Sequence, residues 1–255
     1  MDDEIALLRG IVTDPHCDVR RLAYADWLDE RGAPEDAARA EFIRLQIARV
    51  RDAHPATGNI PLAELHLLNE FEGRWRHGLP EAIRERWFVR YECGFPSMLE
   101  CDAALLLDAW GRAPVLLPVE TLTLHVGAAS PAWVHLRRPE PMFPLRYLRV
   151  SCESPVGSQL MGVLLRLGPF PWLEDFAVRD EFLSDAALEG FAPEPLFPRL
   201  KSVSFAGCNL TDDGAEALAT SAWAGRLERL DLTGNRFSPN LVAWLRQRFG
   251  PALLV

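Results

Sequence analysis

The second half of the chain carries a short hydrophobic motif that recurs at a nearly constant interval. Five segments have the pattern apolar-x-x-apolar-x-apolar, and they begin at Val119, Leu145, Leu173, Leu200 and Leu227. Successive starts lie 26, 28, 27 and 27 residues apart. A fixed period in this range is typical of chains that stack one structural unit on the next, rather than of a single globular core. We therefore predict a repeat architecture for this half of the chain.

Each motif has the features of a short strand followed by a turn and, in most units, by a helical stretch. Apolar residues alternate with polar ones across the second half of the motif, as in a half-buried strand. Ser184, Thr211 and Ser238 each precede a helical pattern and are typical N-cap residues. We predict helices at 157–167, 184–189, 211–219 and 240–249, and a short final strand at 253–255.

The first fifty residues show three helical patterns separated by short breaks. Pro15 ends the first helix, because the residue before a proline is disfavoured in the helical conformation. We expect Asp18 to cap the second helix, Gly32 to close it and Pro34 to open the third. The sequence therefore predicts a small all-helical module over residues 1–51.

The stretch between this module and the regular motifs gives a mixed signal. Residues 52–61 contain two prolines and a glycine, which is typical of a linker. The patterns beyond it predict a helix at 62–86, a strand at 87–91, a turn at 94–96 and a helix at 99–110. We interpret residues 62–118 as a helical, irregular capping repeat, since terminal repeats commonly depart from the consensus. Residues 119–255 then form the repeats.

Charge and composition disfavour several classes of function. The 255 residues carry a net charge of −9, whereas nucleic-acid binding uses a clustered basic face. No apolar run reaches the roughly 18 residues that span a membrane, and the acidic start lacks the apolar segment of a signal peptide. The five cysteines are odd in number and form no C-x-x-C pair, which favours reduced thiols. We expect a cytoplasmic protein that binds neither nucleic acid nor membrane.

Two of the five units carry a longer signature. The units that start at Leu200 and Leu227 continue as L-x-x-L-x-L-x-x-N/C-x-L, with Cys208 and Asn235 at the ninth position. This pattern resembles the leucine-rich repeat. The ninth side chain can bond the backbone where the strand turns away. The other units have a different residue type at this position, namely Gly127, Glu153 and Glu181.

The period and the helical second halves resemble the ribonuclease-inhibitor class of leucine-rich repeats. The resemblance covers about residues 87–255. It implies an α/β solenoid in which parallel strands line a concave face and helices lie on the convex side. Such a fold implies a binding surface, so a binding protein is favoured over an enzyme.

The N-terminal helices carry a second resemblance. The segments Tyr24-Ala25-Asp26-Trp27-Leu28 and Ala40-Glu41-Phe42-Ile43-Arg44-Leu45-Gln46 are similar to the bacterial repeat-companion domain. That resemblance implies a helical module ahead of repeats in a bacterial protein, and it implies no reaction. Lys201 is the single lysine among 27 cationic residues, a bias that indicates a GC-rich coding genome and fits such a source.

The polar positions of the strands form the candidate binding surface. Side chains alternate along a strand, so the residues between the inward apolar ones share the opposite face. Tyrosine and arginine are enriched among residues that dominate binding energy. The alternative is a solvated sheet face with internal ion pairs, such as Arg149 with Asp175. The candidate partner-binding residues are His125, Tyr147, Arg149, Asp175, Arg179, Arg229 and Asp231.

The N-terminal motif contains residues that could instead support catalysis or metal binding. Asp26 and Glu30 lie four residues apart on a predicted helix, and paired carboxylates can perform acid–base work or hold a metal. A structural interpretation has these carboxylates paired with arginines while Trp27 packs in the core. We therefore predict a non-catalytic protein–protein interaction scaffold without metal or cofactor. The alternatives are a regulatory or accessory subunit of an enzyme encoded nearby, and an enzyme that uses these carboxylates.

Overall fold

The structure is a computed structural model of the chain, and its described parts are the helical N-terminal region, one sheet and the C-terminal helices. The described residues are 2–52, 60–76, 88–106, 116–126, 143–152, 162, 169–179, 183–186, 188 and 197–255. The predicted helix at 157–167 lies outside them except for position 162, and so do the last part of the predicted helix at 62–86 and positions 187 and 189 of the helix predicted at 184–189.

Within the described part of the N-terminal region lie four helices, and the first three match the predicted module. They are α1 (Asp2–Thr13), α2 (Asp18–Arg31), α3 (Pro34–Asp52) and α4 (Leu62–Trp75). Gly32 ends α2 with a φ of 72°, a left-handed conformation that favours glycine. The predicted capping role of Asp18 is wrong. Cys17 holds the cap position, and the Asp18 carboxylate instead accepts a hydrogen bond from the Arg51 guanidinium at 2.8 Å.

The described residues contain eight strands, which form a single sheet in which spatial order follows chain order. The strands are β1 (Phe88–Glu92), β2 (Phe95–Asp102), β3 (Thr121–Val126), β4 (Tyr147–Cys152), β5 (Asp175–Arg179), β6 (Ser202–Ser204), β7 (Arg229–Asp231) and β8 (Leu253–Leu254). β1 and β2 are antiparallel, and every later pair is parallel. The strands predicted at the five motifs and at the C-terminal end are confirmed.

The predicted helix at 99–110 is wrong over its first four residues. Those residues belong to β2, which pairs with β3 so that Leu99 lies beside Leu122 and Cys101 beside Leu124. Leu99 and Cys101 are buried while Glu100 is half-buried, because the strand alternates its side chains between the two faces. Residues 103–106 are helical, and 107–110 lie outside the described residues. The regular parallel array therefore begins one strand before the first motif.

The core runs along the inner face of the sheet. The parallel register places one residue of each strand in a continuous buried row, consisting of Leu122, Leu148, Phe176, Val203 and Leu230. Buried residues two positions further on form a second row, consisting of Leu124, Val150, Val178, Phe205 and Leu232. Two helices follow the last motifs, α5 (Asp212–Thr220) after β6 and α6 (Pro239–Phe249) after β7. The alternation that buries these rows turns the polar motif positions to the other face.

Candidate functional site

The outward face is defined as the face of β3–β7 opposite the buried rows. Its first row is confirmed as predicted and consists of Thr121, Tyr147, Asp175, Ser202 and Arg229. Its second row is also confirmed and consists of Thr123, Arg149, Ala177, Ser204 and Asp231. The third row pairs His125, Ser151 and Arg179. Its last predicted members, Ala206 and Thr233, lie beyond the ends of β6 and β7.

The centre of the outward face presents large exposed side chains beside small ones. Tyr147, Arg149 and Arg179 are exposed, whereas Asp175 is half-buried. Arg149 lies beside Ala177, and Arg179 beside Ser151, so no bulky neighbour covers either guanidinium from the paired position. Parallel strands lie about 4.8 Å apart and rise about 3.3 Å per residue, which puts the two arginine Cα atoms about 8 Å apart.

The candidate side chains on each flank of the outward face form ion pairs with other residues of the protein. His125 Nε2 lies 2.8 Å from Glu100 Oε1, and Arg229 Nη2 lies 3.5 Å from Asp231 Oδ2. Asp231 also accepts hydrogen bonds from the backbone N–H and the hydroxyl of Thr233, at 3.1 and 2.7 Å. These flanking candidates therefore already have intramolecular partners.

The arginines at the centre differ from the flanking cations. Within the described part of the chain, no carboxylate lies within 4.0 Å of Arg149 or Arg179. The ion pair expected between Arg149 and Asp175 is consequently not formed. Asp175 lies beside Tyr147 in the first row and Arg149 lies beside Ala177 in the second, so the two residues occupy diagonal positions.

A row of alternating charges at the N-terminal ends of the strands was not predicted. This charge ladder consists of Glu120, Arg146, Glu174 and Lys201. Arg146 lies 3.8 Å from the Glu120 carboxylate and 3.0 Å from that of Glu174, and Lys201 lies 3.7 Å from Glu174. The signal was present in the sequence, because the second motif position alternates in sign from unit to unit. The ladder binds neighbouring units to one another and neutralises its own cations.

Different environments shift the pKa values of the two carboxylates of the charge ladder in opposite directions. Hydrogen bonds from Arg146 lower the pKa of Glu174, and the same contact raises the pKa of Arg146. Burial raises the pKa of Glu120, although His16 and Arg146 oppose that shift. His16 Nε2 lies 3.4 Å from the Glu120 carboxylate. The ladder thus reaches the segment between α1 and α2.

The backbone fixes the register at the same end of the sheet. The Glu120 carbonyl accepts N–H bonds from both Arg146 and Tyr147, at 2.8 and 2.9 Å. The carbonyls of Arg146, Glu174 and Lys201 each accept two N–H bonds from the next unit in the same way. Each strand therefore begins at a defined level relative to its neighbour, which keeps the rows of the outward face aligned.

The ninth motif position has the structural role expected for the last two units. Asn235 Nδ2 donates to the Phe205 and Leu232 carbonyls at 2.8 and 2.9 Å, and its Oδ1 accepts from the Leu210 N–H at 3.0 Å. Cys208 Sγ lies 3.2 Å from the Val178 carbonyl oxygen and is fully buried. Both side chains thereby join the turn of one unit to the preceding unit.

The N-terminal motif is engaged in packing and ion pairs. Tyr24 is buried, stacks on Trp27 at a centroid distance of 5.5 Å, and donates its hydroxyl to Glu4 at 3.3 Å. The carboxylates of Asp26 and Asp29 each lie 2.7 Å from Arg44 Nη2. The expected pairing of Asp26 with an arginine is confirmed. Among the described residues, no group of three or more histidine, cysteine, aspartate or glutamate side chains could hold a metal.

A buried polar junction connects the helices to the β1–β2 turn. Gln46 donates to Glu64 at 3.1 Å and accepts from the Gly94 N–H at 2.7 Å, and Arg49 lies 2.6 Å from Glu64. Gly94 has a φ of 84°, and an added Cβ would lie 2.8 Å from the Cα of Ile43. Only glycine fits this approach without displacing the backbone. The helices and the sheet are therefore packed directly against one another.

Comparison with known proteins identifies the repeat unit. A family model described as Leucine Rich repeat matches residues 199–219, which span β6, its following turn and most of α5. The match supports leucine-rich repeats in this mixed α/β chain, a type of repeat associated with protein interaction. No curated protein matches the chain. No helix among the described residues is long and apolar enough to cross a membrane.

Proposed function

We propose that this chain is a non-catalytic scaffold that binds a protein partner through its outward face. The observation that carries the proposal is the exposed centre of that face, with Tyr147, Arg149 and Arg179 around the small residue Ala177. Tyrosine and arginine are enriched among the residues that dominate binding energy at protein interfaces. Asp175 borders this centre, while His125, Arg229 and Asp231 form its flanks.

We infer that the repeats form a curved solenoid of the ribonuclease-inhibitor class, with strands on the concave side and helices on the convex side. The period of the motifs supports this inference, as do the parallel strands in chain order and the positions of α5 and α6 after β6 and β7. The proposed units are a repeat-companion module at 1–51, a capping repeat at 62–118 and repeats at 119–255. The β1–β2 hairpin supplies the regular edge of the proposed cap.

A bacterial, cytoplasmic setting completes the proposal. Buried free thiols at Cys93 and Cys101 suit a reducing compartment. Burial raises the pKa of both thiols, which keeps them protonated and unreactive. The carboxylate of Asp26, one of the two carboxylates that the enzymatic alternative would use, is occupied by Arg44.

Cross-linking capture from cells of the source organism tests the proposed face. The variant Ala177→Tyr places a bulky neutral side chain at the centre of the outward face. The matched control Glu216→Tyr places the same side chain on the exposed surface of α5. We expect Ala177→Tyr to lose the captured partners while Glu216→Tyr retains them. Equal capture by both variants would overturn the proposal.

A further inference from the structure

The cations on and beside the outward face fall into two groups. Arg146 and Lys201 are neutralised by Glu174, and Arg229 is neutralised by Asp231. Within the described part of the chain, Arg149 and Arg179 have no such partner, although they occupy adjacent strands. Asp175 lies at the same diagonal position from Arg149 as Arg179 does, yet it forms no ion pair with Arg149. Both exposed guanidinium groups are therefore available to a carboxylate of a partner.

We infer that the protein partner presents an extended acidic segment to Arg149 and Arg179. This inference rests on the proposed function and specifies its partner. Arginine binds carboxylates in a bidentate geometry that fits its planar fork. Carboxylates on alternate residues of an extended segment lie about 6.6 to 6.8 Å apart, and the flexible arginine side chains can close the difference from their Cα separation of about 8 Å.

The neighbouring residues determine where on the outward face the acidic segment lies. Asp175 lies in the first row beside Tyr147, and it repels a carboxylate placed over that row. The acidic side chains of the partner are therefore expected over the second and third rows, where Arg149 and Arg179 lie. The exposed ring of Tyr147 offers an aromatic surface to an apolar or basic residue of the same segment. The chain as a whole carries a charge of −9, so selection of an acidic segment depends on this local pair.

The test is selection of random 16-residue peptides displayed on phage against the full-length chain. Selected peptides are then measured by fluorescence anisotropy against wild type, the double variant Arg149→Gln/Arg179→Gln, and Arg51→Gln. This matched control removes an arginine that is paired with Asp18 on the N-terminal helices, away from the outward face. We expect the selected peptides to carry two or more acidic residues. The double variant should weaken their binding by about tenfold or more, and Arg51→Gln by less than about twofold.

The outcomes separate this inference from the proposed function. Peptides that bind the double variant as tightly as wild type, yet fail to bind Ala177→Tyr, would overturn the acidic partner and leave the binding face intact. Peptides that are neutral or basic would have the same consequence if Ala177→Tyr abolishes their binding. Peptides that still bind Ala177→Tyr, or a selection that yields no binder, would overturn both. Circular dichroism of each variant verifies that these surface changes leave the fold intact.

Discussion

Neighbouring units of this sheet are joined in two different ways. Toward the C-terminal end, the side chains of Cys208 and Asn235 reach buried or half-buried backbone groups of the preceding unit. Across the middle of the sheet, the charge ladder joins units through ion pairs that remain partly open to water. Solvent screens the second kind of contact far more than the first. Units of equal period can therefore contribute unequally to stability.

The largest effect is expected from Asn235→Ala. This change removes three hydrogen bonds and leaves the Phe205 carbonyl and the Leu210 N–H without their side-chain partner. Each partly buried polar group left unsatisfied costs about 1–3 kcal/mol, so the free energy of unfolding should fall by about 3 kcal/mol. Urea unfolding measures the change. Asn240→Ala, at an exposed position of α6, is the control, and an equal loss there would remove the special role of Asn235.

A smaller effect is expected from Cys208→Ala, which deletes one buried sulfur and its contact with the Val178 carbonyl. A weak thiol hydrogen bond and a small cavity together correspond to about 1–2 kcal/mol. The same urea titration should place this variant between wild type and Asn235→Ala. If Cys208→Ala lowered the free energy of unfolding more than Asn235→Ala does, the number of side-chain hydrogen bonds would not explain the difference between the two turns.

The charge ladder should contribute less to the free energy of unfolding than either turn, and its contribution should depend on pH. Glu174→Gln is expected to lower the free energy of unfolding by about 0.5–1 kcal/mol at pH 7 and low salt. Arg146 lowers the pKa of folded Glu174, so its stabilisation is present above the ordinary pKa and disappears as the pH falls through the lowered one. Unfolding should be followed between pH 7 and 3, and again in 0.5 M salt at pH 7. A difference that changes neither with pH nor with salt would contradict an ionic origin.

The smallest effect is expected from Glu120→Gln, within about 0.5 kcal/mol at pH 7. Burial raises the pKa of folded Glu120, so its contribution has the opposite sign of pH dependence to that of Glu174. That contribution is present below the ordinary pKa and is lost as the pH rises through the raised one. Wild type should therefore gain on the Gln variant as the pH falls. Parallel pH profiles for the two variants would show that the ladder is uniform.

The strands that the sequence predicted are those in which inward apolar residues recur at the motif spacing. β2 was missed because Met98, Leu99, Glu100 and Ala103 favour a helix locally, whereas pairing with β3 makes the segment a strand. Leu99 and its neighbour Leu122 are also only 23 residues apart. This interval is shorter than the period of the five motifs, so the period does not indicate a unit at Leu99. Tertiary pairing thus outweighed local propensity at this position.

The candidate site shows the same limit. The rows of the outward face follow from side-chain alternation, so they could be read from the motif. The partner of His125 could not, because Glu100 lies on β2, where local propensity favours a helix. The charge ladder could have been found by reading one motif position across all units. The approach of Gly94 to Ile43 joins segments that are distant in the chain, and no local pattern indicates it.

The paired acceptance of N–H groups by the Glu120, Arg146, Glu174 and Lys201 carbonyls has a consequence for how such a chain can change. Each strand is set against its neighbour at its first residues, so a loop that follows a strand can gain or lose a residue without displacing the strand after it. Intervals of 26, 28 and 27 residues coexist for this reason. Insertions in evolution or by engineering can therefore diversify the loops of this protein while the rows of the outward face keep their alignment.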